Sequence, residues 1–151
     1  MAKLSPETDP LCADIANFVA TNLNEAYTKE LIVRSVKHYD AYNVPYQDYP
    51  LLKIYRVYDN YSIDHGINDS QMGLAYCLLN AKLDRLPGIT SWVSENIILN
   101  LRKYNFYRNG YVEITGGIRA NYRTLLQLSE LIYQIDFSFG IKGSIDAICE
   151  H

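Results

Sequence analysis

The chain has 151 residues, of which 48% are hydrophobic and 21% are charged, a composition typical of a globular domain and not of a disordered segment. Its length predicts one domain over residues 1–151, with short flexible termini at about 1–8 and 143–151. A formal net charge of −3 excludes the basic surplus with which proteins hold nucleic acid by its phosphates. The first residues lack the apolar run of a signal peptide, and no later run reaches the length of a membrane span, so we expect neither secretion nor a membrane partner.

The first predicted element is a helix that ends near Asn24. Asp9 is a suitable cap, and Pro10 suits the first helical turn. Apolar residues follow on one face: Leu11, Ile15, Phe18, Val19 and Leu23. The next segment, residues 31–36, is short and rich in β-branched side chains, so it is interpreted as a strand, with a short helix as the alternative.

The following part of the chain predicts strands separated by an exposed loop. Residues 43–50 carry two prolines and predict an extended loop. That loop leads into residues 51–58, whose β-branched and aromatic side chains predict a central strand. Residues 58–69 are polar, with turn-forming residues, and predict a second exposed loop. A strand resumes over residues 71–80, where Gly73 favours a bulge.

A second helix is predicted between Pro87 and Tyr104. A broad apolar stripe recurs there at helical spacing: Ile89, Trp92, Val93, Ile97, Ile98 and Leu101. Residues 111–115 predict a strand, and Gly116-Gly117 predicts a break or bulge after it. Residues 121–128 show no clear pattern.

The last predicted element is the strand Glu130–Ile141, which alternates apolar and polar residues except at Ile132. Its apolar set faces one way: Leu131, Tyr133, Ile135, Phe137, Phe139 and Ile141. The order of helix, strands, helix and strands predicts an α+β fold. We expect an antiparallel or mixed sheet with two main helices packed largely on one face.

The sequence contains no motif that predicts catalysis. The histidines are scattered, and the spacing typical of metal ligands is absent. Asp64-His65 is interpreted as part of a solvated loop, and Gly116-Gly117 lacks the lysine and serine of a phosphate-binding loop. The cysteines are odd in number and widely spaced, which indicates reduced structural thiols in a cytosolic protein. We therefore expect a protein that is not an enzyme and that binds no cofactor or metal.

One arrangement in the chain is distinctive. A helix and a weak strand precede the sequence Tyr46-Gln-Asp-Tyr-Pro50, which leads into the strand Leu51–Arg56. A second strand, a long amphipathic helix and a closing alternating strand follow. This order, with its acidic-aromatic-proline approach to an apolar strand, resembles the tail terminator (tail completion) proteins of long-tailed bacteriophages. The resemblance extends from the first helix to Ile141.

The resemblance implies a structural virion protein of the tail and neck, assembled in the host cytoplasm. Such proteins are α+β monomers that form a ring, generally a hexamer, on the head-proximal end of the tail tube. The ring ends tube polymerisation and joins the tail to the head-neck complex, and DNA passes through it without specific binding. The expected partners are further copies of this chain, the tail-tube protein and neck or connector proteins.

The composition is unusual in having 14 tyrosines against four phenylalanines and one tryptophan. Tyrosine is enriched in protein interfaces, but its large ring and polar tip also suit the edge of a sheet, so both interpretations stay open. A cyclic ring requires two different patches on each subunit. The candidate residues for a subunit or partner interface are Tyr46, Tyr49, Tyr55, Tyr58, Tyr61, Asp64 and His65.

Two alternatives to the tail terminator interpretation remain. In the first, the protein is another neck or connector component. In the second, it is a small intracellular α+β binding domain or enzyme with a pocket beside Trp92 and His65. Size-exclusion chromatography with light scattering separates a ring from a monomeric domain of the second kind.

Overall fold

The structure, a computed structural model, describes residues 10–27, 31–40, 44–62, 67–79, 86–107, 112–127 and 130–144. Within these ranges the chain forms two α-helices and a five-stranded sheet. In chain order the elements are α1 (Pro10–Ala26), β1 (Ser35–Lys37), a 3-10 turn (Tyr46–Asp48), β2 (Leu51–Ser62), β3 (Ile67–Leu79), α2 (Leu86–Tyr107), β4 (Val112–Gln127) and β5 (Glu130–Ser144).

The sheet is mixed, with the strand order β1-β2-β3-β5-β4. The short β1 runs parallel to β2, whereas β2 with β3, β3 with β5, and β5 with β4 are antiparallel pairs. The two long hairpins, β2–β3 and β4–β5, are therefore joined through β3 and β5 in the middle of the sheet. The predicted α+β class with a mixed sheet is confirmed.

The main hydrophobic core lies between the helices and one face of the sheet. Its residues from β5 are Ile135, Phe137, Phe139 and Ile141, and its residues from β2 are Leu52 and Ile54. The helices supply apolar residues that recur every three or four positions: Leu11, Cys12, Ile15, Ala16, Val19, Ala20 and Leu23 from α1, and Val93, Ile97, Leu101 and Tyr104 from α2. Both helices thus cover the same face, as the sequence predicts.

The two helices and the closing strand match their sequence predictions closely. α1 begins at Pro10 and continues past Asn24 to Ala26, and α2 continues past Tyr104 to Tyr107. The alternation of β5 is confirmed where its side chains are described, because Ile135, Phe137, Phe139 and Ile141 are all buried. β5 also extends to Ser144, into the segment predicted to be a flexible terminus.

The predicted loop over residues 58–69 is wrong, because most of it forms the β2–β3 hairpin. β2 continues to Ser62 and β3 begins at Ile67, while residues 63–66 lie outside the described part. The polar composition was misleading because strand pairing uses backbone groups, which every residue except proline supplies in full. β3 has a partner on each side here: Asn68 is in register with Tyr61 of β2 and with Gly143 of β5.

The strand predicted at residues 31–36 is shorter than expected and displaced. Only Ser35–Lys37 forms β1, and a side chain of α1 engages the backbone before it. Asn24 Oδ1 accepts hydrogen bonds from the Ile32 and Val33 amides, both at 2.9 Å, and Asn24 Nδ2 donates to the Val33 carbonyl oxygen at 2.8 Å. In the register of β1 with β2, Ile32 and Val33 lie opposite positions that precede Leu51, where β2 begins.

The bulges of the sheet lie on β2 and β4. The sequence favoured a bulge at Gly73, but Gly73 is in regular register with Tyr55 and Ser138. The extra residue is Val57 of the partner strand, because Arg56 pairs with Met72 and Tyr58 with Gln71. The bulge predicted at Gly116-Gly117 is confirmed by the register shift between Thr115 and Arg119. The unassigned residues that follow continue β4 to Gln127.

Candidate interaction surface

The segment that leads into β2 is fixed by hydrogen bonds from the residues around the start of β1. The Arg34 amide donates to the Pro50 carbonyl oxygen at 2.8 Å, and Ser35 Oγ donates to the Asp48 carbonyl oxygen at 2.6 Å. Arg34 Nη1 also donates to the Gln47 carbonyl oxygen at 3.4 Å. The expected extended loop therefore contains a 3-10 turn, closed by a bond from the Asp48 amide to the Pro45 carbonyl oxygen.

Two predicted interface tyrosines belong to this segment. Tyr49 is only 8% exposed, so its ring contributes to the interior and is not presented to a partner. Val44 and Leu51 are also buried and, like Tyr49, lie outside the main core cluster. Tyr46 lies in the 3-10 turn, but its side chain lies outside the described part of the structure.

The β-bulge at Val57 brings two other candidate tyrosines onto one face of the sheet. Tyr55 and Tyr58 are three positions apart, a spacing that places side chains on opposite faces of a regular strand. Their register partners, Gly73 and Gln71, are only two positions apart, so Tyr55 and Tyr58 share a face. This is the helix-free face, because the neighbouring Ile54 is buried in the core beneath the helices.

Tyr55 and Tyr58 differ in how much of each side chain is exposed. Tyr55 is half-buried, and the Lys53 Nζ atom lies 5.9 Å from the centroid of its ring. Tyr58 is 51% exposed, and the adjacent Val57 is 58% exposed. Of the candidate residues whose side chains are described, Tyr58 is therefore the one most open to a partner. No pattern in the sequence indicates this bulge, so the sequence did not predict Val57 as an exposed candidate residue.

Charged and polar groups of the same chain occupy much of the helix-free face. Lys53 Nζ lies 3.0 Å from Asp40 Oδ1, and the Lys53 side chain is only 13% exposed. On β5, Asp136 Oδ2 lies 3.0 Å from Arg123 Nε, while Gln134 Nε2 donates to Asp136 Oδ1 at 2.6 Å. The polar side chains of β5 on this face thus find some of their hydrogen-bond and ion-pair partners within the subunit.

In the described part of the chain, the edge of β2 that faces away from β3 is largely open. β1 pairs with this edge only along Leu51–Lys53, and no other described strand lies beside the rest of it. The exposed Val57 and Tyr58 belong to this uncovered part. At the opposite side of the sheet, β4 carries Tyr122, which is 56% exposed while its hydroxyl group lies 2.8 Å from Ser94 Oγ.

Three further predicted interface residues have side chains outside the described part of the structure. Tyr61 pairs with Asn68 in the β2–β3 hairpin, but its side chain lies outside the described part. Asp64 and His65 lie outside the described residues. The pocket beside Trp92 and His65 therefore stays a prediction, and the Trp92 ring instead lies 5.4 Å from the Tyr27 ring, measured between centroids.

The described part of the chain shows no group of three or more His, Cys, Asp or Glu side chains placed to hold a metal ion. Neither described helix is long and apolar enough to cross a membrane. Cys12 is a reduced cysteine buried in the core. No family model matches this sequence, and a comparison with curated proteins gave no significant match.

Proposed function

We propose that this protein is a ring-forming structural component of a bacteriophage virion, of the tail terminator type. Copies of the chain form a ring on the head-proximal end of the tail tube. The ring ends tube polymerisation, binds neck or connector proteins on its other side and lets DNA pass. The protein performs no catalysis in this role.

The observation that carries the proposal is the open edge of β2 with its exposed apolar residues. Val57 is 58% exposed and Tyr58 is 51% exposed on an edge that β1 covers only as far as Lys53. An uncovered edge strand is a template for pairing with another chain, and soluble proteins usually protect it. Addition of a strand from a partner is a recurrent form of such protection. This edge favours an assembling protein over a solitary binding domain.

Two further observations support the tail terminator type in particular. The sequence Tyr46-Gln-Asp-Tyr-Pro50, which carries part of the resemblance, forms a turn held by Arg34 and Ser35, and so directs the chain into β2. The formal net charge of −3 also suits a ring through which DNA moves without being held, because a strongly basic surface would retain the phosphates.

The proposal is tested in the virus whose genome encodes this chain. Removal of the gene should give tail tubes of uncontrolled length and heads without tails, both visible by electron microscopy. Cryo-electron microscopy of complete virions should place the protein at the junction of tube and neck. Tubes of normal length that fail to attach to heads would instead indicate a connector component. Normal, infectious virions without the protein would contradict both roles.

The interface part of the proposal is tested with purified protein. Tyr58→Ala should weaken self-association about tenfold or more, because interface tyrosines often dominate binding. The matched control is Leu99→Ala, which also removes an exposed apolar side chain, 45% exposed, but from α2. Both variants should retain the wild-type circular dichroism spectrum. Light scattering measures self-association. If Tyr58→Ala associates as strongly as wild type, Tyr58 does not contribute to the interface.

A further inference from the structure

In the described part of the chain, the sheet has two open edges, one on each side. On the side away from β3, β2 has no neighbouring strand from Ile54 to Ser62 among the described residues, because β1 ends opposite Lys53. β4 is the terminal strand on the other side, and its outer edge likewise has no strand beside it within the described ranges. Each edge is a template for pairing with a strand of another molecule.

The directions of the two edge strands allow the edges to pair with one another. The pairs β2–β3, β3–β5 and β5–β4 are each antiparallel, so β2 and β4 run in opposite directions. A second copy placed beside the first, with its helices on the same side, therefore brings β4 antiparallel to β2. Antiparallel pairing gives the more stable ladder per residue.

The charges on the two edges differ. The uncovered part of β2 carries Arg56 and Asp59, and β4 carries Glu113, Arg119 and Arg123, of which Arg123 is paired with Asp136. Pairing of β2 with β4 can place Asp59 of one copy opposite Arg119 of the next, whereas pairing of β4 with itself brings two copies of Arg119 to one contact.

Each edge also presents an exposed apolar or aromatic side chain. These are Val57 and Tyr58 on β2 and Tyr122 on β4, all more than half exposed. Register through the sheet places Tyr55, Gly73, Ser138 and Arg119 in one row. Closing a sheet around an axis requires a stagger between neighbouring strands, and a stagger of a few residues brings Asp59 of one copy level with Arg119 of the next.

We propose that the open edge of β2 in one copy of this chain pairs antiparallel with the open edge of β4 in the next copy. The five-stranded sheets then continue from subunit to subunit with all helices on one side. This contact is heterologous, so it propagates from copy to copy and closes into a ring when the rotation per subunit permits. The inference rests on the proposed function, for which it names the two patches that each subunit contributes.

The test uses two double variants that each alter one edge at exposed positions. Val57→Lys/Tyr58→Lys alters β2, and Arg119→Glu/Thr124→Glu alters β4. Leu99→Lys on α2 is the control for adding a charge to an exposed apolar site. Circular dichroism and chemical denaturation establish that every variant is folded. Analytical ultracentrifugation then measures association of each variant alone and of the two edge variants in equal amounts.

The expected result is complementation. Each edge variant alone should associate about tenfold or more weakly than wild type. Pairing at the altered edge would have to bury the introduced lysines or glutamates. The mixture should associate again, because the unaltered β2 edge of one variant meets the unaltered β4 edge of the other. The control should associate as wild type does.

Other outcomes overturn the pairing. Undiminished association of the β4 variant alone would indicate a β2–β2 contact, and undiminished association of the β2 variant alone would indicate a β4–β4 contact. A mixture that stays dissociated, or wild-type protein that is monomeric at its highest soluble concentration, also contradicts it. Failure of the proposed function looks different: the edges complement, but electron microscopy shows open filaments instead of rings, or the gene deletion leaves tails unchanged.

Discussion

The Tyr104 hydroxyl group of α2 donates a 2.7 Å hydrogen bond to Asp14 Oδ2 of α1. Tyr104 has no solvent exposure, whereas Asp14 is half-buried. The same tyrosine ring meets the Phe18 ring edge-on, with centroids 5.5 Å apart and planes at 74°. One residue therefore combines an apolar and a polar contact between the two helices, and fixes their relative position on the sheet.

Tyr104→Phe should lower the free energy of unfolding by about 1.5–3 kcal/mol, the usual contribution of a hydrogen bond to a charged group. The ring contact with Phe18 is retained in this variant, so the loss reports on the hydroxyl group. Urea denaturation measures the change, and a double-mutant cycle with Asp14→Ala isolates the pair. A coupling energy near zero would show that the bond to Asp14 adds nothing to stability.

Asn24→Ala should destabilise the protein by about 2–4 kcal/mol, because it removes three hydrogen bonds of roughly 1 kcal/mol each and leaves backbone groups of Ile32 and Val33 without that partner. Asn17→Ala, at an exposed position of the same helix, is the matched control, with an expected change within about 0.5 kcal/mol in the same denaturation assay. Equal losses for the two variants would contradict the role assigned to the Asn24 side chain.

Phe137→Ala should lower the free energy of unfolding by about 3–5 kcal/mol, because it opens a cavity in the core. Phe137 is 2% exposed and lies on β5 between Leu74 of β3 and Ala120 of β4. Val57→Ala at the exposed edge of β2 serves as control, with an expected change within about 0.5 kcal/mol. A loss well under 1 kcal/mol for Phe137→Ala would contradict the assigned buried face of β5.

Asp40→Asn should reduce stability by less than about 1 kcal/mol, since pairs with an exposed partner contribute little. Asp40 is 40% exposed in its 3.0 Å pair with Lys53. The difference from wild type should shrink as salt is added, because ions screen exposed charges. Denaturation curves at low and high ionic strength measure both effects. A large loss that salt does not alter would mean that the pair is shielded from solvent.

The helices and the closing strand were predictable because their signals are local and periodic. In β5, every second residue from Ile135 to Ile141 is buried, and in α1 the apolar residues from Leu11 to Leu23 form one stripe. The β2–β3 hairpin was not predictable from polarity, because residues such as Asn60 and Asn68 belong to strands through their backbone groups. β3 pairs with β2 on one side and with the sequence-distant β5 on the other, and the polarity of its residues does not reveal either pairing.

The candidate surface was predicted less completely than the fold. A sequence rich in tyrosine pointed to Tyr49 and Tyr58 alike, but the structure buries Tyr49 and exposes Tyr58. The difference follows from the turn before β2, which Arg34 and Ser35 hold in place, and from the bulge at Val57. Neither has a signature in composition, and both depend on pairing between separate segments.

The sequence by itself determined the fold class, the two helices, the regular closing strand and the bulge at Gly116-Gly117. These follow from side-chain periodicity and from the backbone preferences of individual residues, which neighbours in the chain suffice to express. Only the tertiary structure decided the strand order β1-β2-β3-β5-β4, the extra residue at Val57 and the two open edges. Those features arise from hydrogen bonding between separate strands, so no local pattern encodes which edges of the sheet lack a neighbouring strand among the described residues.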